Sequence, residues 1–160
     1  MGSAARALHR GRDERSSPER ADAAPNVANG PASGVSTVLY DAAVLVAADR
    51  NERRAWAEHR ARLEFGVVPL VPAPVVAQVS RSPQQAQLRR FLSGCAVVPL
   101  GESEAHEAGR LLGMTRTADV VDAVVVTTAL RQKATILTDD PDDIKRLVRA
   151  SGRAVAVVAI

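Results

Sequence analysis

Carboxylates gather at three places in this chain, and each place adjoins an apolar run. Asp41 follows Val38-Leu39-Tyr40; Asp119 and Asp122 open the apolar stretch Val120–Val126; and Asp139, Asp140, Asp142 and Asp143 crowd the segment after Leu137-Thr138. Several of these have ordinary structural uses. Asp41 and Asp119 suit helix N-caps, where a side-chain oxygen accepts a backbone N–H, and Asp140 suits the cap of a helix starting at Pro141. Asp142 and Asp143 complement the positive end of that helix. Asp122 is different. It stands three residues after Asp119, about 5–6 Å away on one helix face, within an otherwise apolar helix where an unpaired carboxylate costs several kcal/mol. The next basic residue on that helix is Arg131.

If Asp41, Asp122 and Asp140 converge, like charges roughly 4–6 Å apart repel by a few kcal/mol per pair at an effective dielectric near 20. A cation must then sit among them. An all-oxygen donor set without Cys or His selects a hard divalent ion, Mg²⁺ or Mn²⁺. Open carboxylate sites of this kind hold phosphates and activate water for in-line displacement at phosphorus. The expected chemistry is metal-dependent phosphoryl transfer to water, with no side chain acting as a covalent nucleophile.

The elements that must position these groups follow from the hydrophobic pattern. Thr37–Tyr40, Val67–Val71, Ala96–Leu100, Ala134–Thr138 and Ala154–Ala159 read as strands. Helical spacing runs over Ala43–Arg50, Glu52–Phe65, Pro74–Arg81, Pro83–Leu92, Glu102–Leu112, Val120–Gln132 and Pro141–Ala150. Pro74, Pro83 and Pro141 suit first helical turns, while Gly66, Gly94, Gly113 and Gly152 suit helix ends. Nearly all-apolar strands separated by helices imply a mainly parallel sheet covered on both faces. The expected fold is α/β, a three-layer α/β/α sandwich on about five strands over residues 37–160, with ligands bound beyond the carboxyl ends of the strands. Residues 1–36, rich in Arg, Ala, Ser, Pro and Gly without sustained periodicity, read as a disordered N-terminal extension.

Composition narrows the function. With 21 basic and 18 acidic residues the net charge is only +3, so the chain is no general polycation. Four aromatic residues, Tyr40, Trp56, Phe65 and Phe91, are too few for a base-stacking nucleic-acid module. One cysteine, Cys95, excludes an internal disulfide and a cysteine-rich zinc site. No apolar run reaches the roughly 20 residues that span a bilayer. The N-terminal segment lacks a secretory hydrophobic stretch, and its acids argue against a transit peptide. A cytoplasmic protein without membrane contact is the expectation. No glycine-rich phosphate loop or serine elbow follows a strand. His59 and His106 lie on charged helical stretches, where exposure is expected.

In kind and order these segments resemble a PIN-domain ribonuclease, particularly the toxin of VapBC toxin–antitoxin systems. The resemblance runs from about Thr37 to Ile160 and rests on Leu39-Tyr40-Asp41-Ala42, Val71-Pro72-Ala73-Pro74-Val75-Val76-Ala77, Asp122-Ala123 and Leu137-Thr138-Asp139-Asp140-Pro141-Asp142-Asp143. It implies Mg²⁺ or Mn²⁺ held by Asp41, Asp122 and Asp140, with support from Thr138 by hydrogen bonding and from Asp119 and Asp143 as additional acids. It further implies hydrolysis of RNA phosphodiesters, a homodimer and an antitoxin partner.

One residue departs from the family pattern. Where the family usually carries a glutamate after the second strand, this chain has Gln78 in Ala77-Gln78-Val79. An amide oxygen can ligate a cation or orient water, but it is neutral and cannot be a base. Two rival readings therefore stand beside the nuclease: a weakened PIN module that binds RNA or protein without cutting, and a hydrolase of small phosphate esters. The arginine-rich stretch Glu52–Arg62, like Arg81, Arg89 and Arg90, is open between a solvated charged face and a surface for phosphate or antitoxin.

Overall fold

The computed structural model describes residues 36–160, so the extension expected over residues 1–36 lies outside the described residues apart from its last position. Among the described residues, five strands alternate with seven helices. In chain order they are β1 (Val38–Tyr40), α1 (Ala42–Asp49), α2 (Arg53–Glu64), β2 (Leu70–Pro72), α3 (Ala73–Val79), α4 (Ala86–Leu92), β3 (Ala96–Val98), α5 (Glu102–Thr115), α6 (Val120–Gln132), β4 (Thr135–Thr138), α7 (Pro141–Ala150) and β5 (Val157–Ala159).

Every strand pairing is parallel, and the sheet order is β3-β2-β1-β4-β5. The chain moves outward from β1 in one direction through β2 and β3, then returns to the other side of β1 as β4 and β5. Right-handed crossovers therefore put α1 to α4 on one face and α5 to α7 on the other, completing a three-layer α/β/α sandwich. The inner strands supply a fully buried centre, with Leu39, Tyr40, Val71 and Ile136 closed to solvent. From one face Leu45, Val75 and Phe91 pack onto it, and from the other Val125, Val126 and Ile144. The β1/β4 junction, where strand order reverses, is the crevice in which such sheets take ligands.

Four local details differ from the sequence expectation. Strand β2 starts at Leu70 rather than Val67, because the preceding residues finish α2. Gly66 adopts φ +75°, its N–H donates to Leu63 O at 2.9 Å, and the Val67 N–H donates to Arg62 O at 2.9 Å, the Schellman pattern that satisfies terminal carbonyls. Pro83 does not open α4. The segment before that helix is organised by the Gln85 amide, which accepts from Arg81 N at 2.6 Å and Ser82 N at 3.0 Å and donates to Asp49 Oδ2 at 2.8 Å. Gly113 does not stop α5, which continues to Thr115 and ends where Arg116 takes a left-handed conformation, φ 55°. Strands β3 and β5 are each shorter than expected.

Candidate active site

The crevice is assembled by strand pairing. The Asp41 N–H extends the β1/β4 ladder by donating to Leu137 O at 3.1 Å, which sets the first residue after β1 beside the end of β4. There the Asp41 carboxylate accepts from Ala42 N through Oδ1 at 2.6 Å and from the Thr138 hydroxyl through Oδ2 at 2.8 Å. The Thr138 hydroxyl also accepts from Asp140 N at 3.1 Å. One fully buried side chain thus ties the two strand-end acids together. Asp41 is buried, and burial raises its pKa against the lowering effect of the Thr138 and Ala42 hydrogen bonds; the charges of Asp139 and Asp119 push it further up.

Asp122 enters from the other side of the crevice. Asp119 caps α6, its Oδ1 accepting from Asp122 N at 3.0 Å, so the Asp122 side chain lies in the first helical turn. Burial raises its pKa from 3.8 to about 7, reinforced by the charges of Asp119, Asp41, Asp143 and Asp140. Arg131 does not relieve it. That guanidinium is committed to Glu104 at 2.6 Å, Glu107 at 2.9 Å and Ser103 at 2.7 Å, joining α6 to α5. Asp140 caps α7, accepting from Asp143 N at 3.5 Å, and Asp143 pairs with Arg146 at 3.0 Å.

These groups surround a cavity of about 740 Å³. Asp41, Asp119, Asp122, Asp140, Asp143 and the exposed Gln78 all line it, while Thr138 stands behind Asp41. Asp139, given no role from sequence, lines it too, and Asp142 does not. Position was the available signal, since Asp139 is the first residue after β4 and ligands lie at such positions. Arg50, Arg54 and Arg62 also reach the cavity. His59 is a correction. It is buried, stacked on Phe91 with ring centroids 4.0 Å apart and within 3.3 Å of the Tyr40 hydroxyl through Nδ1. The apolar face of α2, carrying Trp56 and His59, is what packs on α4. His106 is exposed, as expected.

Among the described residues, no three His, Cys, Asp or Glu side chains are already drawn together tightly enough to hold a metal ion. The donor set nevertheless fits a hard divalent cation. It is all oxygen, each Asp41 oxygen keeps a lone pair beyond its hydrogen bond, and the repulsion of the surrounding carboxylates on Asp122 is what a cation would relieve. Among the described residues, no helix is long and apolar enough to cross a membrane.

Comparison with known proteins agrees with this architecture. The family model for the PIN domain matches residues 38–150. A chain in the crystal structure of VapBC2 from Rickettsia felis bound to a DNA fragment from their promoter superposes with a TM-score of 0.60 at 15% identity, covering 78% of this chain and 98% of its own. A chain of a toxin-antitoxin complex from Klebsiella pneumoniae superposes with a TM-score of 0.54 at 18% identity, covering 67% and 89%. A search of curated proteins finds no sequence match.

Proposed function

The chain belongs to the PIN domain family, and from that premise we propose that it is a metal-dependent endoribonuclease, the toxin half of a toxin–antitoxin pair. The observation that carries the nuclease reading is the carboxylate cavity at the β1/β4 crevice, where four neighbouring charges bear on Asp122. Asp41, Asp122 and Asp140 are the residues that would hold Mg²⁺ or Mn²⁺. When bound, such an ion supplies Lewis acidity for displacement at phosphorus by water.

The protein's own groups do the rest. Thr138 orients the Asp41 carboxylate and fixes the Asp140 backbone, and the Asp140 carboxylate is held by the Asp143 N–H, so little freedom at Asp41 remains to be lost when a cation enters. Asp119 and Asp143 add negative charge at the rim. Gln78, neutral on the cavity wall, orients rather than deprotonates. The toxin assignment draws on the fold likeness to chains of two toxin–antitoxin assemblies; an antitoxin and a second copy of the chain are the partners it entails.

Gln78 favours a second reading, a PIN module that binds RNA without cutting it. Labelled mixed RNA incubated with purified protein and Mg²⁺ or Mn²⁺, beside EDTA and Asp122→Asn controls, separates the two. Cleavage lost in both controls supports the enzyme. Binding without cleavage, not rescued by Gln78→Glu, supports the binding module.

A further inference from the structure

The cavity has two walls of opposite character. One carries the aspartates; the other is the end of α1 and the face of α2, where the three guanidiniums of Arg50, Arg54 and Arg62 stand with the two carboxylates of Glu52 and Glu58. Arg54, Glu58 and Arg62 are spaced i, i+4, i+8, which aligns them along one helix face. Glu58 accepts from Arg54 Nε at 2.9 Å and from Arg62 Nη2 at 3.3 Å, so a single carboxylate holds both guanidiniums on that face. Arg62 is anchored further. Its guanidinium lies 5.8 Å from the ring centroid of Tyr40, the residue immediately before Asp41. Helix α2 is itself fixed, with Trp56 Nε1 donating to Ala48 O at 3.0 Å, Trp56 meeting Phe91 edge-on at 5.2 Å, and His59 stacked beneath.

Among the described residues, no ion pair joins these arginines to the aspartates across the cavity. The Arg54 and Arg62 guanidiniums of this wall are balanced by Glu58 rather than by the aspartates opposite, so an incoming phosphate can take them without breaking a bond to the carboxylate cluster. A polyanionic strand entering this cavity meets that cluster, and a cation at the reacting phosphate offsets only the local part of the repulsion. The phosphates on either side need counter-charges of their own. Arg54 and Arg62 leave the helix about two turns apart, and their guanidiniums converge on the two oxygens of Glu58, so together they can take a phosphate and its immediate neighbour. Guanidinium forks match phosphate oxygens in shape as well as charge. Arg54 is free to exchange partners, because its pairing with Glu58 is exposed and pairs of that kind are weak.

Building on the ribonuclease reading, we infer that Arg54 and Arg62 form a phosphate clamp, binding the RNA backbone beside the scissile linkage and positioning the strand against the aspartates. Glu58 presets the two guanidiniums and gives way as phosphate arrives.

The test is binding of a fluorescein-labelled single-stranded oligoribonucleotide in EDTA, where no cleavage competes, across a KCl series. Each phosphate contact to a single strand contributes about 0.7 to the slope of log K against log salt. Arg54→Gln/Arg62→Gln should lower the slope by about 1.4 and weaken binding roughly tenfold at physiological salt. Arg54→Gln alone, at an exposed position that does not threaten the fold, should lower it by about 0.7. Arg54→Lys/Arg62→Lys should keep most of the slope, and Arg110→Gln/Arg149→Gln, an equal charge loss on α5 and α7, should leave it unchanged. With Mg²⁺ present, the double glutamine variant should raise KM with kcat retained. An unchanged slope overturns the clamp, and loss of binding to poly-glutamate instead of RNA overturns it in favour of an acidic protein segment. Wild-type protein that binds with the arginine-dependent slope but never cleaves refutes the nuclease and leaves the clamp standing.

Discussion

Replacing Asp122 with asparagine should stabilise the metal-free protein while abolishing its response to divalent cations. Asp122 is half-buried, and burial plus four neighbouring carboxylates raise its pKa from 3.8 to about 7. Undiscounted, a shift of that size corresponds to about 4 kcal/mol. Because much of the group faces solvent, screening reduces it to about 1–2 kcal/mol. Asparagine has the same shape without the charge, and the α6 cap survives because Asp119 accepts from the backbone N–H of residue 122, which the substitution leaves in place. In EDTA at pH 7.5, Asp122→Asn should therefore raise Tm by about 3–8 °C for a domain of this size. The sign with pH is fixed by linkage. The folded protein binds the Asp122 proton more tightly than the unfolded chain does, so wild-type stability falls as pH rises from about 4 to about 7. The variant should lose the Asp122 share of this decline while keeping the part that burial of Asp41 contributes, and the two proteins should agree in stability below pH 4. Adding Mg²⁺ should stabilise the wild type in proportion to RT ln(1 + [Mg²⁺]/Kd) and leave the variant unmoved. Thermal melts over pH 4–8, with EDTA and with Mg²⁺, make the comparison. An Asp122→Asn protein less stable than wild type in EDTA, or stabilised equally by Mg²⁺, would refute the reasoning.

Thr138→Val keeps the shape of a fully buried side chain but strips the hydrogen bonds to Asp41 and Asp140 N. It should cost about 1–3 kcal/mol in urea denaturation and weaken Mg²⁺ binding in a calorimetric titration. A methyl group at residue 94 would fall 2.6 Å from His59 Nε2 and 3.0 Å from Leu63 Cδ1, so Gly94→Ala should cost about 1–3 kcal/mol. A double-mutant cycle with His59→Ala should recover much of that loss if the clash is the cause. Burial and the Arg62 charge lower the His59 pKa below its ordinary 6.5. The unfolded chain then binds this proton more readily, so the stability tied to neutral His59 is present above pH 6.5 and lost as pH falls through the folded pKa. Imidazole titration by NMR, with a denaturation series from pH 4 to 8, checks the direction; a His59 that titrates above 6.5 contradicts it.

Much of this protein is encoded locally. Unbroken apolar strands between helices require a parallel sheet with both faces covered, since a half-exposed sheet would alternate. Pro74 and Pro141 stand in first turns, and Asp41, Asp119 and Asp140 cap their helices as the sequence suggests. Each of these features depends on sterics and hydrogen bonds within a few residues, so sequence spacing expresses it directly. Boundaries shifted where two local signals competed. Val67 is a good strand residue, yet its N–H serves the end of α2. Gly113 breaks helices on average, yet α5 is carried through it to Thr115.

What local signals do not contain is the order of the strands. Asp41 and Thr138 are 97 positions apart and meet only because β4 pairs with β1 after the chain reverses its course across the sheet. The same tertiary choice admits Asp139 to the cavity and leaves Asp142 outside it, though the two belong to one run of acids. It buries His59, whose charged neighbours in sequence face solvent while its own side of α2 faces Phe91. It also turns an arginine-rich helix into one wall of the site. The residue types and their positions after strands could be read from the sequence. Which of them become neighbours was decided by packing, because burial energy belongs to whole faces of elements and not to any stretch of chain read alone.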